Sequence, residues 1–472
     1  MSKTNQKYTP RGYQNYILDR IEELPDSNLL LELDCGLGKR FITHQLVAER
    51  YPTLKFLIVV HSSSSLAETV EYLRGDYGGL EDELGEISSR VRSPLRPYIM
   101  KNNRVVVATP QVLAGMIKKE PDVAGLFDVL LINEVDTLIK RTSRRRALTF
   151  PWPTILPFFS EKRIIGMSGT LRDEHAVFTS EQLEIRKELR TLKHHILGAK
   201  VISMEDLYGT DIDEFLNPTE LRIELVSDKK IQSITRVLDE LIRDARIEIM
   251  AELAEYGNLE IVENDPRKVH IMLERLPVSD DLKGRYSSLL MLRKYVYAMP
   301  PQQFIKMFYN KHVSRFFNPD DLRSALPKLS SKAAKALEIA KEYEKAVILT
   351  SYLDMVSQIE TSLKDAGMLV EIITGQTHDK GDVLKRFKNE DDIRALVMSP
   401  VGERDLDIPQ ADVMLVCDTI NTTKTMYQKF KRTRGGVVLL LAYENTSEER
   451  KAKRLIQRIL ERYPWSTSSC VS

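Results

Sequence analysis

Two series of short apolar runs, set apart by a long stretch with a different rhythm, leave few folds open to this chain. LLLEL (29–33), KFLIVV (55–60), RVVVA (104–108), VLLI (129–132) and RIIGM (163–167) are each bounded by polar or turn residues and lead through a loop into a helical pattern. Runs this short and apolar are strands buried on both faces, and strands alternating with helices make a doubly wound parallel sheet. AVILT (346–350), LVEII (369–373), RALVM (394–398), DVMLV (412–416) and VVLLL (437–441) repeat the pattern near the C-terminus. Between the series, Ile231, Ile234, Val237, Leu238, Leu241, Ile242, Ala245 and Ile249 recur at helical spacing. The fold class is therefore α/β, with two doubly wound parallel-sheet lobes and an inserted helical domain. The expected boundaries are 1–175 for the first lobe, 176–330 for a linker and the insert, 331–465 for the second lobe, and 466–472 for a frayed tail.

Charge adds one limit. Lys and Arg number 69 against 68 Asp and Glu, a formal charge of +1. Any nucleic-acid surface must come from local clustering. Cys35, Cys417 and Cys470 have no metal-ligand spacing and read as free thiols of a reducing compartment. The N-terminus lacks the apolar core of a signal peptide, and VVLLLA (437–442) is too short to span a bilayer. A cytoplasmic protein with no membrane partner and no structural metal is expected.

The first strand ends in LDCGLGKR (33–40). Gly36 and Gly38 let backbone N–H groups approach a polyphosphate, the following helix offers its positive end, and Lys39 reaches β and γ oxygens. Glycines after a strand also make plain tight turns. The cradle reading gains from its position, closing a strand and opening a helix, with VLLI later delivering Asn133-Glu134-Val135-Asp136 as an ATPase strand delivers its carboxylates. The first carboxylate of that tetrad is missing.

Taken in order, these landmarks resemble a superfamily 2 helicase, closest to the helicase part of archaeal Hef and its relative, the Fanconi-anaemia group M translocase. PRGYQ (10–14) resembles the adenine-reading element, with Arg11 and Gln14 in the matching places. HSSSSLAE (61–68) and ATPQVL (108–113) resemble two loops that hold a nucleic-acid backbone, through Ser62, Ser63, Thr109 and Gln111. MSGT (167–170) corresponds to the S-A-T element and TSYLD (350–354) opens the second lobe. SPVGERDLDIP (399–409) places Asp407 on the ribose, and YQKFKRTRGG (427–436) resembles the arginine-finger segment, with Gln428 and Arg432 in register. The resemblance implies two RecA-like lobes, ATP binding, and action on branched or duplex DNA in repair, replication or recombination, with RNA an open alternative. It also implies a nuclease or repair protein as partner, since the chain shows no Hef-type nuclease half.

The departures point to one ion. The family carries Thr or Ser at position 40 and Asp at position 133, both supporting the same Mg²⁺; here they are Arg40 and Asn133. Two losses converging on one ligand indicate relaxed selection for metal-dependent hydrolysis. Asp405 and Lys431 replace family glycines, and Arg434-Gly435 reverses the family order. The expected function is a degenerate ATPase acting as a DNA- or partner-binding module, with any nucleotide held without Mg²⁺. The alternatives are an active ATP-dependent helicase or translocase, and a nucleotide-gated clamp that does not hydrolyse. Glu134 and Asp136 either position attacking water or persist as partners of Arg40 or Lys39. KRTSRRR (140–146), with Arg144, Arg145 and Arg146, either grips phosphates or is a solvated basic loop. Trp152, between two prolines, reads as a packing residue.

Overall fold

The computed structural model describes the chain apart from residues 1–8, 76–78, 140–141, 144–147, 179–182, 258–261, 263–268, 271, 311–323, 328, 400–409, 419–422, 432–435 and 472. It divides into two compact units, Met1–Leu216 and Asn217–Ser472. The apolar runs of the first series form β1 (Leu29–Glu32), β2 (Phe56–Val59), β4 (Val105–Ala108), β5 (Val129–Asn133) and β7 (Arg163–Ser168), with β3 (Leu84–Ile87) and β10 (Lys200–Ile202) added. The parallel order is β10-β1-β7-β5-β2-β4-β3. Helices α1 (Gly12–Glu22), α2 (Lys39–Gln45), α3 (Ser63–Gly75), α4 (Arg96–Asn102) and α5 (Pro110–Lys119) belong to this unit. Short β6 (Thr142–Ser143) joins β8 (Glu174–Phe178) and β9 (Leu183–Lys187) in a separate small sheet. Trp152 is buried in the hydrophobic core of this unit, as a packing residue should be.

In the second unit, β11 (Thr219–Val226), β12 (Ala346–Leu349), β13 (Leu369–Ile373), β14 (Ile393–Met398), β15 (Val413–Val416), β16 (Val437–Tyr443) and β17 (Thr467–Val471) form a parallel sheet in the order β13-β14-β12-β15-β16-β11-β17. The helical domain enters between β11 and β12. Its longest helix, Lys229–Glu255, starts at Asp228, whose carboxylate accepts from Lys230 N at 3.0 Å and Ile231 N at 3.2 Å. That side chain satisfies two of the helix's first free N–H groups.

Three boundaries differ from the sequence expectation. The first unit runs past residue 175 to Leu216, because β10 joins its sheet edge. β11 lies where a linker was expected. The tail carries β17, paired with β11, where fraying was expected. All three strands lie at or next to a sheet edge, and their sequences, KVI, TELRIELV and TSSCV, are short or half polar. A search for uniformly apolar runs finds strands covered on both faces and passes over these.

Arg172 ties the segment after β7 back to β1. Its guanidinium binds buried Glu32 in a fork, at 2.8 Å and 2.6 Å, and reaches Glu205 at 2.6 Å. The hydrogen bond from Arg172 holds the Glu205 carboxyl below its ordinary value.

Candidate nucleotide site and nucleic-acid loops

β1, β2, β4, β5 and β7 each end in one of the expected segments, at the edge where doubly wound sheets present ligand sites. After β1 the chain turns through Gly36 and Gly38, at φ +83° and +86°, and enters α2. Both glycines sit in the left-handed region that a side chain disfavours. At Gly38 a Cβ would also lie 2.6 Å from Gln14 Nε2, so the end of that side chain would have to shift. Lys39 Nζ donates to the loop's own carbonyls, Leu33 O at 2.8 Å and Asp34 O at 3.3 Å. The ammonium lies against Gly169, after β7, where a Cβ would meet it at an ordinary contact distance of 3.5 Å. This geometry fits a polyphosphate, whose oxygens would replace the carbonyls as partners of Lys39.

The expected adenine-reading residues brace the loop from α1. Gln14 accepts from Arg11 N at 3.0 Å and donates to Leu37 O at 3.4 Å, and Tyr13 OH donates to the same carbonyl at 2.9 Å. The Arg11 guanidinium lies 3.9 Å from the centre of the Phe215 ring. Asp211 accepts from Gly12 N and Tyr13 N at 2.7 Å and 2.6 Å, capping α1. Sequence reasoning missed Asp211 and Phe215, which lie about 200 residues downstream in an acidic turn without a motif.

Arg40, expected either to face nucleotide oxygens or to pair with Glu134 or Asp136, instead forms an ion pair with Glu68 on α3. Glu68 was also missed. Both side chains are more than a third exposed, at 46 % and 37 %. Asn133, at the end of β5, keeps its Oδ1 buried and without a hydrogen-bond partner. Its neighbour Glu134 has φ +57° and ψ +51°. That conformation costs a residue other than glycine about 1–2 kcal/mol, and such strain is retained where a side chain must be aimed. Thr137 holds it there, donating N–H and hydroxyl to Glu134 O at 2.9 Å and 2.8 Å.

Asp136 is buried and engaged. Its carboxylate accepts from Ser168 Oγ at 2.6 Å and Thr170 Oγ1 at 3.4 Å, the hydroxyls of the MSGT segment. Asp136 therefore links β5 to the end of β7 and positions that segment. For Mg²⁺ the donor set does not fit: a neutral amide and a guanidinium stand where a hard cation takes oxygen anions and hydroxyls. Among the described residues, no group of three or more His, Cys, Asp or Glu could hold a metal ion.

Of the two nucleic-acid loops, the first is built on α3. Ser62 Oγ accepts from Ser65 N at 3.1 Å, and Ser63 is exposed at the helix start. In the second, Thr109 is buried ahead of α5 and Gln111 is exposed, so Gln111 carries the side-chain contact. Gln428 is half-buried on the helix Thr423–Phe430, and Lys431 Nζ donates to Asn217 O at 3.2 Å. Arg144, Arg145, Arg146, Asp405, Asp407 and Arg432 lie outside the described residues. No helix among the described residues is long and apolar enough to cross a membrane.

Two family models match the chain: "Type III restriction enzyme, res subunit" over residues 7–173 and "Helicase conserved C-terminal domain" over 331–436. The mouse (Mus musculus) Fanconi anemia group M protein homolog is 21 % identical over 519 aligned residues, which cover 91 % of this chain and 24 % of the mouse protein. The chain thus spans about a quarter of the length of that relative. The Pyrococcus furiosus Hef helicase domain superposes with a TM-score of 0.61 at 17 % identity, covering 95 % of this chain and 98 % of that one. S. cerevisiae Dbp5, solved with RNA and ADP BeF3, gives 0.53 at 11 % identity, covering 98 % and 90 %.

Proposed function

We propose that this chain, a helicase superfamily 2 member close to Hef and the Fanconi-anaemia group M proteins, is a DNA-binding module of repair, replication or recombination whose nucleotide site no longer performs Mg²⁺-dependent hydrolysis. One observation carries the reading. At the two positions that support the family's cation, Arg40 is drawn to Glu68 and Asn133 Oδ1 has no donor, while the polyphosphate cradle beside them keeps its glycines and Lys39. Hydrolysis needs the metal to neutralise charge developing on the transferred phosphoryl group; binding of the polyphosphate does not.

Nucleic-acid binding needs neither group. Ser62, Ser63 and Gln111 offer hydroxyl and amide groups at the starts of α3 and α5, and backbone contacts of this kind fix position on a duplex without reading its sequence. DNA is taken as the substrate class because the motifs resemble those of Hef and the Fanconi-anaemia group M translocase. A nuclease or repair protein is the partner class that this role calls for.

The test is phosphate release from Mg²⁺-ATP, followed with and without forked DNA at concentrations where the DNA is bound. The expected result is bound DNA with no stimulation of turnover. DNA-stimulated release at rates typical of phosphoryl-transfer enzymes such as kinases, about 1–100 per second, would overturn the reading in favour of an active translocase.

A further inference from the structure

Away from the nucleotide site, the second unit contains a cavity of about 480 Å³ between the helix Lys229–Glu255, the helix Asp280–Ala298 and the start of the helix Ser447–Arg462. Five arginines line it: Arg236, Arg243 and Arg246 from the first helix, Arg293 from the second and Arg450 from the third. Two carboxylates, Asp239 and Glu240, stand against them. We infer that this cavity binds a compact polyphosphate, a small ligand carrying several phosphate groups.

Three features support the assignment. The first is the orientation of the forks. Asp239 accepts from Arg293 Nη1 at 2.6 Å and from Arg450 Nη2 at 3.4 Å, so one carboxylate fixes guanidinium groups brought by two other helices. Forks held in place lose less freedom when they meet a ligand, and guanidinium matches phosphate in a two-pronged contact. The second is unspent donor capacity. Arg236 and Arg246 have no carboxylate partner among the described residues, and Gln232 Nε2, also in the wall, is a buried donor without an acceptor. The third is the sign of the lining: five arginines stand against two carboxylates, a surplus of three positive charges facing the cavity.

Size and sign select a compact ligand over a nucleic-acid strand. The volume lies within the range of small-molecule sites, about 300–1,000 Å³. Glu240 falls between Arg236 and Arg243 on the same helix face, so a phosphodiester backbone tracking along that face would meet a negative charge between positive ones.

The probe is inorganic tripolyphosphate, titrated calorimetrically into the full chain carrying Lys39→Ala, which weakens the phosphate cradle of the first unit. Binding at one site per chain is expected, weakened about tenfold or more by the further pair Arg236→Ala and Arg246→Ala. Both arginines are exposed, so the pair leaves the core intact. Three results would overturn the proposal: no heat of binding, affinity unchanged in the arginine pair, or displacement of tripolyphosphate by a short single-stranded oligonucleotide, which would make the cavity part of a nucleic-acid track.

Discussion

Combining Arg40→Thr with Asn133→Asp is expected to return DNA-stimulated, Mg²⁺-dependent ATP hydrolysis, on the order of 10²–10³ above the parent chain, the span of a single electrostatic contributor to catalysis. Each change alone should return little, because hydroxyl and carboxylate act on one ion and are coupled through it. The surroundings are prepared for the change. Glu134 is already held at φ +57° at the end of β5, Asp136 already joins the Ser168 and Thr170 hydroxyls, and Lys39 is in place. Releasing Glu68 from Arg40 costs little, since exposed ion pairs contribute about 0–1 kcal/mol. Steady-state phosphate release in Mg²⁺ with forked DNA reads the outcome. A double variant as inert as the parent would put the damage elsewhere, with Asp405 and Lys431 next to revert.

Lys332→Met should destabilise the second unit by about 3–5 kcal/mol. Lys332 and Glu448 are both fully buried and 2.7 Å apart. The ammonium also donates to Cys417 O at 2.7 Å, and the carboxylate accepts from Tyr443 N at 3.0 Å. Cys417, Tyr443 and Glu448 lie around the edge of the sheet from which β15 and β16 emerge, so the pair fastens two helices to two central strands. Removing only the lysine strands a carboxylate in a site closed to solvent. Adding Glu448→Gln should recover part of the loss, because that carboxylate is then neutral, while the buried Asp418 carboxyl still lacks the favourable charge of Lys332. Urea unfolding of the three variants and the parent checks both statements; a single variant as stable as the parent would show the pair to be energetically idle.

Much of this architecture was legible in the sequence, for a physical reason. Strands covered on both faces are apolar nearly throughout, and all ten short apolar runs are strands of the two sheets, although one of them, β13, carries Glu371 and lies half-covered at an edge. β10, β11 and β17 escaped because strands at or near an edge tolerate polar residues. At the site, contiguous motifs gave the loop glycines, Lys39 and Asp136. The contacts that decide what those residues do join positions far apart in sequence: Arg40 to Glu68, Asp136 to Ser168, Gly12 to Asp211. No spacing rule reports them. Asp136 illustrates the difference, since its type left open work on water or pairing with Arg40 or Lys39, and its hydrogen bonds join it to the Ser168 and Thr170 hydroxyls of the MSGT segment.

The central claim concerns charge. In an ordinary site Mg²⁺ brings two positive charges and the strand-end Asp one negative; here Asn133 brings none, and Arg40 would bring one positive charge to the phosphates on leaving Glu68, the same single positive charge. Arg40 can leave Glu68 cheaply, and Asn133 offers no carboxylate to hold it back. Titrating ATP into the unmodified chain, once in excess Mg²⁺ and once in EDTA, measures this directly. Equal affinity in the two buffers, falling in both on Arg40→Ala, is the predicted result. Affinity that vanishes in EDTA, or no affinity in either buffer, would contradict it.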